Sequence, residues 1–200
     1  MTLLPADPDF DITTHWQLDA RAAELSAIVL DAEQLHLWCP NVFMHGTLVD
    51  KGAPDGLGIT IRLHTKGWLP HSFLFIAKIV EVVPNKSMTI AVKGDFNGAG
   101  YISLSETPDG QCAAKLRWVV EIEQPLIRRI VRILNPIFVL NHLWSTRQAR
   151  KLMQAEVYRR RKGANQFAVA KPTFPHNLPG FRKRHFGRAA PLRWDENKNS

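Results

Sequence analysis

Between Phe10 and Leu18 the chain alternates, with Phe10, Ile12, Thr14, Trp16 and Leu18 on one face and Asp11, Thr13, His15 and Gln17 on the other. That period of two predicts a half-buried strand. Asp19 is placed to cap a helix through Arg21–Leu30, and Asp31 a shorter one through Glu33–Trp38 that Pro40 ends. Strand patterns follow at Val42–Val49 and Ile59–Lys66, separated by the turn material Lys51–Gly58. Ser72–Val83 is a long apolar strand halted by Pro84-Asn85. Ser87–Lys93 and Ala99–Glu106 flank a glycine turn, Gly94-Asp95-Phe96-Asn97-Gly98, and Pro108-Asp109-Gly110 signals the next hairpin. The strand after it turns Ala114, Leu116, Trp118, Val120 and Ile122 inward and Lys115, Arg117, Glu121 and Glu123 outward.

Beyond Pro125 lies a short amphipathic piece, Leu126–Leu134. Asn135-Pro136 then reads as the cap and first residue of a long helix reaching Arg161. Projected at about 100° per residue, Arg147, Arg150, Lys151 and Gln154 share one side. Phe138, Asn141, His142, Ser145, Ala149 and Leu152 share the other. A helix that only covered a core would carry Leu or Ile at most of those central inward positions. Small and polar residues there predict a space that is lined rather than filled. The order is strand, two helices, six strands, long helix. It predicts an α+β fold in which a curved antiparallel sheet of six or seven strands grips the C-terminal helix.

Charge divides the 200 residues unevenly. Residues 159–200 hold eleven of the 26 Lys and Arg against Asp195 and Glu196, a balance of +9, while residues 1–158 hold 15 basic and 16 acidic residues. The expected organisation is a nearly neutral domain over 8–162 and a basic, proline-containing, largely irregular tail over 163–200. Deleting residues 164–200 is expected to leave the fold nearly intact. Met1–Phe10 has two Asp and two Pro and lacks the pattern of a secretory signal, and no apolar run approaches the roughly 20 residues of a membrane span. With only Cys39 and Cys112, far apart, a reduced, cytoplasmic protein is expected.

The strand opening at Phe10, the stretch from Asp31 to Trp38-Cys39-Pro40, the Gly94–Gly98 turn and the final helix with Asn141-His142-x-Trp144 together carry a resemblance. Over roughly residues 8–158 the chain resembles the helix-grip superfamily of START-like, birch-pollen-allergen-like and polyketide cyclase/dehydrase-like proteins. The resemblance implies a cavity between sheet and long helix that takes a hydrophobic or amphipathic small molecule. The basic tail lies outside that pattern.

Asn141 and His142 are candidates to bond a ligand's polar group, and His142 is a weak candidate for acid or base work. Asp95, in its glycine turn, is the second weak catalytic candidate, although a short carboxylate there more often bonds turn amides. Ser145 and the aromatics Trp16, Trp38, Phe75, Tyr101, Trp118 and Phe138 complete the expected binding wall. His36-x-x-Cys39 lacks a second ligand pair. No G-x-S-x-G, H-E-x-x-H, C-x-x-C or phosphate loop at a helix start is present, so neither metal nor cofactor is expected. For anionic partners the candidates are Arg128, Arg129 and Arg132 on the amphipathic piece and Arg182, Lys183 and Arg184 in the tail. The leading expectation is a carrier, sensor or protective binder. The alternatives are a metal-free cyclase or dehydratase using His142 and Asp95, and an adaptor docking on nucleic acid or anionic membrane through its tail. Oligomeric state is left open.

Overall fold

A computed structural model describes residues 4–163 and 170–183. Seven strands form one antiparallel sheet: β1 (Phe10–Leu18), β2 (Phe43–Asp50), β3 (Thr60–Thr65), β4 (Phe73–Val83), β5 (Ser87–Gly94), β6 (Phe96–Glu106) and β7 (Cys112–Ile122), in spatial order β1-β7-β6-β5-β4-β3-β2. Helices α1 (Ala22–Leu30) and α2 (Leu35–Trp38) follow β1, with a short 3-10 turn at Ala32–Gln34 between them. Helices α3 (Pro125–Ile133) and α4 (Asn135–Arg161) follow β7.

The alternation read along the chain sets which face is buried. Phe10 pairs with Val120, Thr14 with Leu116 and Trp16 with Ala114, so the apolar phases of β1 and β7 share one side. Across the sheet that phase continues through Gly98 and Gly100, Val92 and Ile90, Ala77 and Ile79, then Ile61 and Leu63. One inward surface results, and α4 lies across it.

The region 94–98 is not a free-standing turn. β5 runs to Gly94, which pairs with Phe75, and β6 already begins at Phe96, which pairs with Ile122. Only Asp95 stands outside a strand. Gly98 has φ 144°, and a Cβ there would meet the Val119 carbonyl oxygen at 2.2 Å, so the close approach requires glycine.

The helix starts differ from the expected caps. Asp19 does not cap α1: its carboxylate accepts the Tyr158 hydroxyl at 2.9 Å, and its backbone bonds both ends of the Gln154 amide. Arg21 occupies the cap position instead, and the Glu24 carboxylate reaches back to the Arg21 amide at 2.8 Å. Asp31 precedes the 3-10 turn but makes no side-chain cap; its carboxylate accepts from Arg160 at 2.7 Å. Asn135 is already inside α4, with Leu134 at the cap position.

Ion pairs fasten both ends of the C-terminal helices. Asp9, whose side chain is fully buried, receives the Ile122 amide, Arg128 and Arg132. Burial alone would raise its carboxyl, but that amide and the two guanidiniums hold it below the ordinary carboxylate range. At the far end, buried Glu156 accepts from Arg159 and Arg160, and Arg161 pairs with Glu24 at 2.8 Å. The Arg159–Arg161 run thus belongs to the domain's own fastening.

Residues 170–183 form a strap over one side of the domain, irregular except for a 3-10 turn at Phe181–Lys183. Thr173 and Asn41 bond reciprocally, amide to Oδ1 at 2.9 Å and Nδ2 to hydroxyl at 2.8 Å. His176 is buried, donates from Nε2 to the Gly67 carbonyl at 2.9 Å and stacks on Trp144. Lys66, 2% exposed, donates to the Phe181 carbonyl at 2.6 Å with its ammonium 4.0 Å from the Phe181 ring centre. These contacts attach the stretch to the domain although its backbone is irregular apart from that turn.

Candidate ligand-binding site

The inward side of α4 packs on the sheet through Ala149, Met153 and Val157 beside Leu18 and Cys112, but the two leave a hollow over part of their length. A cavity of about 330 Å³ lies between them, near the lower end of the roughly 300–1,000 Å³ typical of small-molecule sites. The reason is visible in the residues. β6 presents glycine at two inward positions, Gly98 and Gly100, and α4 presents Asn141, His142, Ser145 and Ala149 where a filled core would need long aliphatics. The Trp118 ring lies against Gly100, where an added Cβ would fall 2.9 Å from the indole.

Nine of the ten residues expected at the wall line this cavity: Trp16, Trp38, Phe75, Tyr101, Trp118, Phe138, Asn141, His142 and Ser145. Asp95 does not. Its carboxylate accepts the Leu74 amide at 2.8 Å and the Gln124 side-chain amide at 3.0 Å, joining the start of β4 to the end of β7. Phe96, assigned to the turn by its neighbours, instead closes an aromatic cluster at the wall. Its ring lies 4.3 Å from Phe73, 5.6 Å from Phe75 and 6.0 Å from Trp118. A period-two reading through Phe96, Gly98 and Gly100 would have found it. Lys66 and Gly67 also reach the wall, and no local pattern announces them.

The polar groups at the wall differ in how they are satisfied. Asn141 Oδ1 accepts the amides of Trp68 at 2.8 Å and Leu69 at 3.2 Å, so it holds the loop after β3 onto α4. Ser145 donates back along its own helix to the Asn141 carbonyl at 2.9 Å. The Lys66 ammonium is turned to the strap. Like the buried indole N–H of Trp38, His142 has no hydrogen-bond partner among the described residues. Burial pushes its imidazole down to about 4, so it is neutral near pH 7 and offers one donor and one acceptor.

The other sequence candidates are placed elsewhere. Arg128 and Arg132 are held by Asp7 and Asp9, and Arg129 is exposed on α3. Arg182 is half-buried, donating to the Pro40 carbonyl at 2.5 Å and the Met44 carbonyl at 3.3 Å. The Lys183 side chain and Arg184 lie outside the described residues. Cys39 is fully buried, which raises its thiol far above the ordinary range, and no cluster of metal-binding side chains occurs among the described residues. No described helix is long and apolar enough to cross a membrane.

No protein-family model matches the sequence. No curated protein matches it either. Solved structures do match in shape. A START superfamily protein from Mycobacterium smegmatis has a TM-score of 0.57 at 18% identity, covering 74% of this chain and 97% of its own. The ZhuI aromatase/cyclase from Streptomyces sp. R1128 has a TM-score of 0.60 at 11% identity, covering 78% and 98%. A conserved protein from Geobacillus kaustophilus has a TM-score of 0.56 at 14% identity, covering 75% and 96%. The chain has the helix-grip fold of START-like proteins.

Proposed function

We propose that the protein binds a hydrophobic or amphipathic small molecule between the sheet and α4, as a carrier, sensor or protective binder. One observation carries this reading: an apolar cavity into which His142 brings an imidazole that no described residue satisfies. A buried polar group without a partner is costly, and a ligand hydroxyl or carbonyl would supply one. A neutral imidazole suits an uncharged end better than a carboxylate. The rest of the ligand would lie against Phe73, Phe75, Phe96 and Trp118.

The cyclase or dehydratase reading draws on the same cavity and on the likeness in shape to an aromatase/cyclase. It loses one of its two proton-handling groups, because Asp95 bonds backbone and Gln124 away from the cavity. Binding is therefore the better supported function. Native mass spectrometry of protein taken from its host tests it: a co-purifying small molecule, displaced by the apolar probe N-phenyl-1-naphthylamine, is expected. A protein that carries nothing and takes up no probe would end the reading.

A further inference from the structure

The helices that cover the cavity are apolar on their outer side as well. Leu126, Ile130 and Ile133 of α3 and Ile137, Leu140 and Leu143 of α4 are all exposed, with Leu126 at 71% and Ile133 at 72%. Their spacing of three or four residues sets them in one stripe that continues past the bend at Leu134. Single exposed apolar residues need no explanation, but a continuous stripe marks an interaction surface. α3 cannot roll to hide it. Val131 is fully buried on the opposite side, and Arg128 and Arg132 are tied to buried Asp9.

Charge indicates what covers the stripe. From Gln124 to Ala155 the chain has no Asp or Glu, while it has Arg128, Arg129, Arg132, Arg147, Arg150 and Lys151. Arg129 and Arg147 are exposed, Arg129 between Leu126 and Ile130 and Arg147 one turn beyond Leu143. Two copies of the chain placed stripe to stripe would bring these arginines together with no acid on residues 124–155 to offset them. An anionic lipid surface accommodates both features, taking the apolar residues below its headgroups and the guanidiniums at its phosphates. Trp68 adds an exposed indole on the loop that Asn141 ties to α4. Such rings favour the lipid–water boundary.

We propose that α3 and the first half of α4 form a docking face for an anionic bilayer, seated by the stripe and flanked by Arg129 and Arg147. This goes beyond ligand binding and does not require an occupied cavity. It also places the cavity wall between bilayer and ligand, since Phe138, Asn141 and His142 line the other side of the same helical turns.

Flotation of the full chain with vesicles of phosphatidylcholine and phosphatidylglycerol tests the face. The chain is expected to float with them, and an Ile133→Ser, Leu140→Ser variant to lose about tenfold in bound fraction. Its melting temperature and uptake of N-phenyl-1-naphthylamine should match the parent. Leu126→Ser alone is the second variant should the double one fail to fold. Equal flotation of variant and parent, or no flotation of the parent, would overturn the proposal. So would a concentration-dependent dimer that the variant abolishes in a chain that ignores vesicles, which would assign the stripe to a second copy. Flotation lost in the variant while neither protein takes up the probe would uphold the docking face and remove the ligand-binding reading instead.

Discussion

Gly67 and Asn141 approach so closely that a Cβ on the glycine would lie 2.1 Å from the asparagine Oδ1. The same oxygen accepts the amides of Trp68 and Leu69, so the bare glycine lets the loop after β3 close down on α4 beside the cavity. Gly67→Ala is expected to push the loop off and leave amides unpaired, destabilising by about 2–4 kcal/mol. Urea melts measure this. A variant as stable as the parent would mean that the loop is free to shift.

Ser145 lines the hollow from the middle of α4. Ser145→Trp is expected to fill space and abolish uptake of a small apolar probe at little cost in stability. In a close-packed site the same change would destabilise by about 1–3 kcal/mol. Thermal melts beside probe titration separate the two.

Stability should depend on pH through His142 and His176, both held near 4 by burial against an ordinary value of 6.5. Between those values the unfolded chain binds protons that the folded chain refuses. Stability is therefore complete above about 6.5 and falls as the pH drops toward 4. Arg161 holds Glu24 at about 2, so its contribution is present above about 4.5 and is lost from there downward. Urea midpoints at pH 7 and 5 should differ by on the order of 1–3 kcal/mol, with a smaller difference in His142→Phe. An unchanged slope in that variant would show that its imidazole is not held neutral by burial.

Two truncations distinguish the parts of the tail. Deleting 184–200 keeps the strap's bonds to Asn41, Gly67 and Lys66. Deleting 164–200 removes the strap, strips buried Lys66 of the Phe181 carbonyl and the Gly67 carbonyl of His176, and should cost on the order of 2–4 kcal/mol. Equal melts for the two would show that the strap contributes nothing to the fold.

Asp95→Ala should destabilise by about 1–3 kcal/mol while leaving probe uptake by the folded protein intact. It removes the acceptor for the Leu74 amide and for Gln124 without touching the wall. Lost uptake at full stability would return Asp95 to the site.

Most of the fold was legible because period-two and period-3.6 patterns are local and were unbroken. β1 and α4 appear with the bounds that their patterns suggested. The α4 positions at the cavity were legible for the same reason, since polar residues on an otherwise inward phase stand out in one helix. Phe96 was hidden by neighbours that resemble a loop. Its strand begins one residue after another ends, a junction set by pairing with Ile122 rather than by turn chemistry. Asp19 and Asp31 looked like caps because capping is a short-range signal. Their partners, Tyr158, Gln154 and Arg160, lie more than a hundred residues away. Lys66 was invisible for the same reason: a buried lysine is decided by Phe181, and no spacing connects the two.

The pairing of β1 with β7 has a kinetic consequence. β1, made before the other strands of the sheet, is the last of them to find a neighbour, because Leu18 and Phe10 meet Cys112 and Val120 across roughly a hundred residues of chain. Closing a sheet through so distant a pairing is slow, about the millisecond-to-second scale of non-local β folds. During synthesis Ile12 and Trp16 must wait without partners until β7 has left the ribosome. In that interval β1 is exposed to mispairing, and a chaperone that shields it as it emerges should raise the yield of folded protein.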